Sequence, residues 1–204
     1  MKSLAIASQK GGAGKSTLVV HLAVEAMNAR ETVRILDADP QGSCVAWGSA
    51  RGAQPMVEAV EPARIAEALK RAQRDGVTFA IVDTAPRASA SLAGVLRAVT
   101  GTLVPVRPSA FDVGTIEASI RLVVASGRPG WLVLNACPPR APEVAETRAL
   151  ISERELERVP VEIYERRAFA RAVATGQAVN EFAPNGAAAD EIRALWKFLA
   201  RRLK

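Results

Sequence analysis

Eight consecutive residues, Lys10-Gly11-Gly12-Ala13-Gly14-Lys15-Ser16-Thr17, constrain the fold of this chain more than any other stretch. An apolar run, Leu4-Ala5-Ile6-Ala7, precedes them, and Leu18, Val19, Leu22 and Ala26 follow on one helical face. Strand, glycine-rich turn and helix, in that order, let a backbone loop enclose phosphate. The glycines allow N–H groups to turn inward around an anion, and the helix start adds its positive dipole end. In such a loop Lys15 reaches the β- and γ-phosphates and the Ser16 hydroxyl ligates Mg²⁺. One departure from the common pattern stands out: position 9, where glycine is usual, is Gln9, and the loop carries an extra lysine, Lys10.

The rest of the chain alternates apolar runs with helical patterns. Residues 33–36 read as a buried strand ending in Asp37-Ala38-Asp39-Pro40-Gln41, where Pro40 and Gly42 are expected to halt regular structure. Residues 56–60 suggest a short edge strand, and Pro62 opens a helix closing at Gly76. Residues 77–82 form a second clear strand ending in Asp83-Thr84-Ala85-Pro86. Further strands are expected at 102–106, 131–135 and about 161–163. Helices should contain Leu92, Val95, Leu96 and Val99, then Ile116, Ile120, Val123 and Val124. A charged helix is expected at about 143–157 and two basic ones at about 167–175 and 187–203. The alternation predicts an α/β fold: a doubly wound, mostly parallel sheet flanked by helices, as one domain over residues 1–204. In such a sheet ligands gather at the carboxyl ends of strands, where Asp37, Asp39 and Asp83 fall.

Composition narrows the class. No apolar run approaches the ~20 residues of a membrane span, and a strand begins too early for a signal peptide. Cys44 and Cys137 are the only cysteines, which argues against a disulfide framework and for a reducing cytoplasm. The two read as buried thiols, His21 as structural, and Trp47 and Trp131 as packing residues. A net charge of +6 favours polyanionic partners.

An apolar strand ending in Asp83, after a phosphate loop, has the form of a Walker B aspartate. With that, the chain resembles the ParA family of deviant Walker A ATPases, and in its compact size the ParF-type members. The resemblance rests on the 9–17 loop, on Asp37-Ala38-Asp39-Pro40-Gln41-Gly42 and on Asp83-Thr84-Ala85-Pro86. Gly176-Gln177-Ala178-Val179, Gly186-Ala187-Ala188 and the final helix match more loosely. It implies an ATPase of weak intrinsic turnover, using ATP and Mg²⁺, for plasmid partition, chromosome segregation or cargo positioning. By the same resemblance Gly11, Gly12, Ala13, Gly14 and Lys15 cradle the phosphates, and Thr17 contacts the α-phosphate. Ser16 binds Mg²⁺, Asp37 and Asp83 hold its water shell, and Asp39 orients the attacking water. Lys10 crosses to the partner's nucleotide in an ATP-dependent homodimer, and Asn135 meets the base.

The resemblance includes no helix-turn-helix extension before the first strand, so DNA binding is expected to be sequence-independent, through phosphate contacts. Candidates are Arg166, Arg167 and Arg171, then Arg193, Lys197, Arg201, Arg202 and Lys204. A ParB-like or ParG-like adaptor is the implied stimulator, and the setting a cytoplasmic, nucleoid-associated one. An ordinary solvated basic face remains the plain alternative. The last helix also carries Ile192, Leu195, Trp196, Leu199 and Leu203 in a stripe flanked by basic residues, as in a MinD-like membrane-surface helix. Packing of that stripe on the sheet is the favoured expectation, making a membrane partner the lesser one. A metabolic ligase on the same fold, or an iron–sulfur reductase relative, is disfavoured by Lys10, the Asp39-Pro40-Gln41 turn and the placement of the cysteines.

Overall fold

The computed structural model describes residues 1–86, 90–108 and 113–203. Seven strands form one sheet: β1 (Lys2–Ile6), β2 (Val33–Ala38), β3 (Met56–Ala59), β4 (Phe79–Thr84), β5 (Gly101–Val106), β6 (Gly130–Cys137) and β7 (Glu157–Tyr164). They lie in the order β3-β2-β4-β1-β5-β6-β7, with every neighbouring pair parallel. The helices are α1 (Lys15–Asn28), α2 (Ser43–Arg51), α3 (Ile65–Arg74), α4 (Ala90–Ala98), α5 (Val113–Ala125), α6 (Pro142–Ser152), α7 (Arg167–Ala174), α8 (Val179–Phe182) and α9 (Ala187–Arg202). A short 3₁₀ turn at Pro62–Arg64 leads into α3.

Period-two alternation divides the strand side chains between two cores. Leu4, Ile6, Ile35, Phe79 and Ile81 face one cluster, shared with α1 and α9. Ala5, Leu36, Ala80 and Val82 face the other, shared with α3, α4 and α5. Strands buried on both faces need apolar residues throughout, so these segments read as continuous hydrophobic runs. β1 lies at the centre, and the chain winds away from it in both directions. The crevice at its carboxyl end is therefore the switch point where such sheets bind ligands.

The apolar stripe of α9 is core. Ile192, Leu195 and Leu199 are fully buried, Trp196 meets the Phe79 ring with centroids 5.0 Å apart, and Phe198 approaches Trp131 edge-on. The membrane-surface reading of this helix required that stripe to face outward. Among the described residues, no helix is long and apolar enough to cross a membrane.

Several boundaries and two short helices, α2 and α8, depart from the sequence expectation. The charged helix stops at Ser152, and β7 runs from Glu157 to Tyr164 instead of three residues near 161–163. β7 is an edge strand in which Val159 and Ile163 are fully buried and Val161 between them only half-buried, so its buried residues fall four apart. That spacing imitates a helix. Another departure is α2, a helix the sequence reading lacks: β2 does stop before Pro40 and Gly42, and Gly42 then stands directly before the first turn of the new helix.

His21 is structural, as its position suggested. Its Nδ1 accepts the Val179 N–H at 3.0 Å, and burial pushes its pKa down to about 3, against a weaker opposing pull from Glu181. The unfolded chain takes up this proton near pH 6.5 and the folded chain does not. Stability from this group is therefore complete above about pH 6.5 and falls as pH drops from there toward 3. Between pH 7 and pH 5 the loss should reach about 2 kcal/mol. Urea titrations of wild type and His21→Gln at the two pH values check it. The variant should lose less stability than wild type on acidification, and equal losses would refute the assignment.

Candidate nucleotide site

The loop joining β1 to α1 is shaped by its own backbone. Gly14 has φ +83°, and a Cβ there would lie 2.4 Å from the Asn135 amide nitrogen, so neither the torsion nor the space admits a side chain. That amide donates to the Ala13 carbonyl at 2.7 Å, fixing the loop from behind. Asn135 was expected at the base; the structure shows it buried and bracing the loop. The Gln9 N–H is held by Ser119 Oγ at 3.2 Å and the Lys10 N–H by Ser8 Oγ at 3.3 Å. No side chain caps α1, whose first-turn N–H groups are left for a ligand.

The side chains follow from strand register. Ile6 pairs with Asp83, and Asp83 with Asp37, so the loop and both carboxylates stand at the carboxyl ends of three adjacent strands. Lys15 is buried, with Nζ 3.5 Å from the Lys10 carbonyl. Burial holds its pKa below the usual lysine range, while Asp83 and Asp39 pull the other way. The Cys44 thiol hydrogen-bonds the Asp83 carboxylate, and it and the nearby Ser16 hydroxyl favour the charged form, yet burial still pushes its pKa up to about 6. Asp83 Oδ1 is buried with no hydrogen-bond partner among the described residues. Asp37 accepts N–H bonds from Cys44 and Val45 on Oδ2, both at 3.0 Å, and from Asp39 on Oδ1. It thereby caps α2 from the end of β2. The Asp39 carboxylate is fixed by the Gln41 N–H at 3.0 Å.

Beside these groups lies a cleft of about 440 Å³. Gly11, Gly12, Gly14, Lys15, Ser16 and Thr17 line one side, and Asp39, Gln41, Ser43 and Pro86 another. Val20, Trp47 and Val173 supply an apolar wall. Trp47 thus does more than pack, and its indole N–H also donates to the Gln177 carbonyl at 3.2 Å. A buried ammonium, a helix start without a side-chain cap and an orphaned carboxylate oxygen together fit a polyphosphate with its divalent cation. Sequence reasoning missed Cys44 behind this site, and no local signal could have found it, because its contact with Asp83 joins segments far apart in the chain.

The basic candidates are not equivalent. Arg166 pairs with Glu191 at 2.6 Å and Arg193 with Asp190 at 2.6 Å, so their charges are locally cancelled. Arg202 pairs with Glu157. Arg171 lies over the Phe182 ring, and Arg167, Arg171, Lys197 and Arg201 are exposed. Lys204 lies outside the described residues.

A glycine loop at the switch point of a parallel sheet, with Lys15, Ser16 and a Walker B aspartate converging on it, defines a P-loop nucleotide-binding domain. The chain belongs to the CobQ/CobB/MinD/ParA nucleotide-binding family, whose model matches residues 4–179. It is 32% identical over 206 residues to the maintenance of carboxysome distribution protein A of Gloeobacter kilaueensis, covering 98% of this chain and 93% of that relative. Among solved structures it resembles apo McdA from Cyanothece, at 17% identity, with a TM-score of 0.77 over 96% of this chain and 99% of that one. It also resembles Pyrococcus horikoshii MinD complexed with Mg-ADP, at 13% identity, with a TM-score of 0.78 over 98% of this chain and 96% of that one.

Proposed function

We propose that the chain is a ParA-like ATPase for DNA segregation or cargo positioning, working as a nucleotide-gated homodimer. The observation that carries this is the front of the loop. Gly11 lines the cleft, yet a Cβ there would meet nothing within 4 Å, so this chain's own packing does not require glycine. A second protomer approaching closely does. Lys10, beside it and half-buried, then supplies a cation to the nucleotide across the interface.

Bound ATP with Mg²⁺ supplies the transferable γ-phosphate and a dense negative charge. Lys15 binds that charge within its own subunit, and Ser16 with Asp37 and Asp83 holds the metal and its water shell. Asp39, fixed by the Gln41 N–H, orients the attacking water and accepts its proton. Lys10 from each protomer relieves repulsion between two facing sites, so the pair holds while the triphosphate is intact and separates after hydrolysis. Turnover is slow until a ParB-like or ParG-like adaptor stimulates it.

Pairing of two chains doubles the exposed Arg167, Arg171, Lys197 and Arg201 and makes sequence-independent DNA binding ATP-dependent, which places the protein on the nucleoid in the cytoplasm. The relative named for carboxysome distribution supports cargo positioning as one form of this activity. Retention on DNA of unrelated sequence, measured with ATP, ADP and no nucleotide across a salt series, tests the proposal. Retention with ATP alone, falling steeply with salt, is expected. Equal retention in all three states would overturn it.

A further inference from the structure

The first turn of α2 reaches both strand-end carboxylates through one residue. Cys44 is fully buried. Its backbone N–H donates to Asp37 Oδ2 at 3.0 Å and its thiol lies 3.3 Å from Asp83 Oδ2, within hydrogen-bond distance for sulfur. The same sulfur stands 4.0 Å from the Ser16 carbonyl. One oxygen of Asp83 is thus held by the thiol, and the other, Oδ1, is buried with no partner among the described residues. An unpaired carboxylate oxygen inside a protein is unfavourable unless a ligand completes it.

We propose that Cys44 is a positioning residue for the metal. Its thiol and N–H fix the Oδ2 atoms of Asp83 and Asp37, so that Asp83 Oδ1 is presented to the water shell of the divalent cation. The inference rests on the nucleotide reading above and adds a residue to it. A thiol suits the task because it is a weak donor on a long C–S bond. It orients the carboxylate without competing strongly for its charge. Partners of this kind behind metal-binding groups change metal affinity by about 10- to 100-fold when removed.

The test uses the full chain and a fluorescent, non-hydrolysable ATP analogue, titrated with Mg²⁺. In Cys44→Ala the Mg²⁺ concentration at half-saturation should rise about tenfold. Affinity for the analogue in EDTA should be unchanged, and Cys44→Ser, which keeps a donor, should recover most of the loss. A purely packing role would move EDTA affinity and Mg²⁺ dependence together and would not separate Ala from Ser. Should Cys44→Ala fail to fold, the infrared S–H stretch decides on wild type, with Cys137→Ala used to isolate the Cys44 band. That band should shift when Mg²⁺ is added to the analogue complex. Identical Mg²⁺ half-saturation in all folded variants, or an S–H band indifferent to Mg²⁺, overturns the proposal while leaving nucleotide binding intact. Wild type that binds no analogue at any Mg²⁺ concentration would instead overturn the nucleotide reading.

Discussion

Asp39→Ala is expected to lower ATP hydrolysis by about 100-fold or more, the range over which a positioned general base acts. Nucleotide binding should stay within a few-fold of wild type, and the ATP-bound dimer should accumulate. The separation follows from position. Asp39 lines the cleft but is not part of the phosphate cradle, which is built from the loop backbone, Lys15 and Ser16. Its carboxylate is only partly buried, and among the described residues it is held by the Gln41 N–H. Losing that turn bond should lower stability by about 1 kcal/mol. Single-turnover hydrolysis alongside sedimentation in ATP checks both halves. Unchanged turnover would remove Asp39 from the mechanism.

Lys15→Ala should separate affinity from stability in opposite directions. Nucleotide affinity is expected to fall by about 100-fold, the loss of a charge-assisted contact in a partly desolvated site. The unliganded fold should be as stable as wild type or more so. Lys15 is only 6% exposed, and its hydrogen-bond partner is a carbonyl 3.5 Å away. Burial already pulls its pKa down. Such an ammonium is held in readiness for an anion at the expense of the empty fold. Nucleotide titration and thermal melting of the same preparations read the two effects. A variant that binds as wild type does would contradict the cradle, and one that binds weakly because it is unfolded would contradict the stability half.

The parts legible in the sequence are those fixed by local physics. Leu4-Ala5-Ile6-Ala7, the three glycines and Lys15-Ser16 announce strand, loop and helix in order, and Asp37 and Asp83 stand at the ends of largely apolar runs that read as buried strands. The stripe of α9 was legible because Ile192, Leu195, Trp196 and Leu199 keep helical spacing, and all four are core. What could not be read depends on contacts between distant segments. α2 starts because Asp37 caps it from the end of β2, and nothing local to Ser43–Arg51 reveals that. Asn135 braces Ala13 across 122 residues of sequence. Cys44 joins the site only because β4 brings Asp83 beside β2. The charges of Arg166 and Arg193 looked available in the sequence and are matched by Glu191 and Asp190 in the fold.

The central claim is that Lys10 acts on the neighbouring subunit's triphosphate. Sedimentation velocity of Asp39→Ala and of the double variant Lys10→Ala, Asp39→Ala, each saturated with ATP and Mg²⁺, tests it directly. The account predicts a dimer for the protein retaining Lys10 and a nucleotide-bound monomer for the one lacking it. A stable ATP-bound dimer without Lys10 would contradict it.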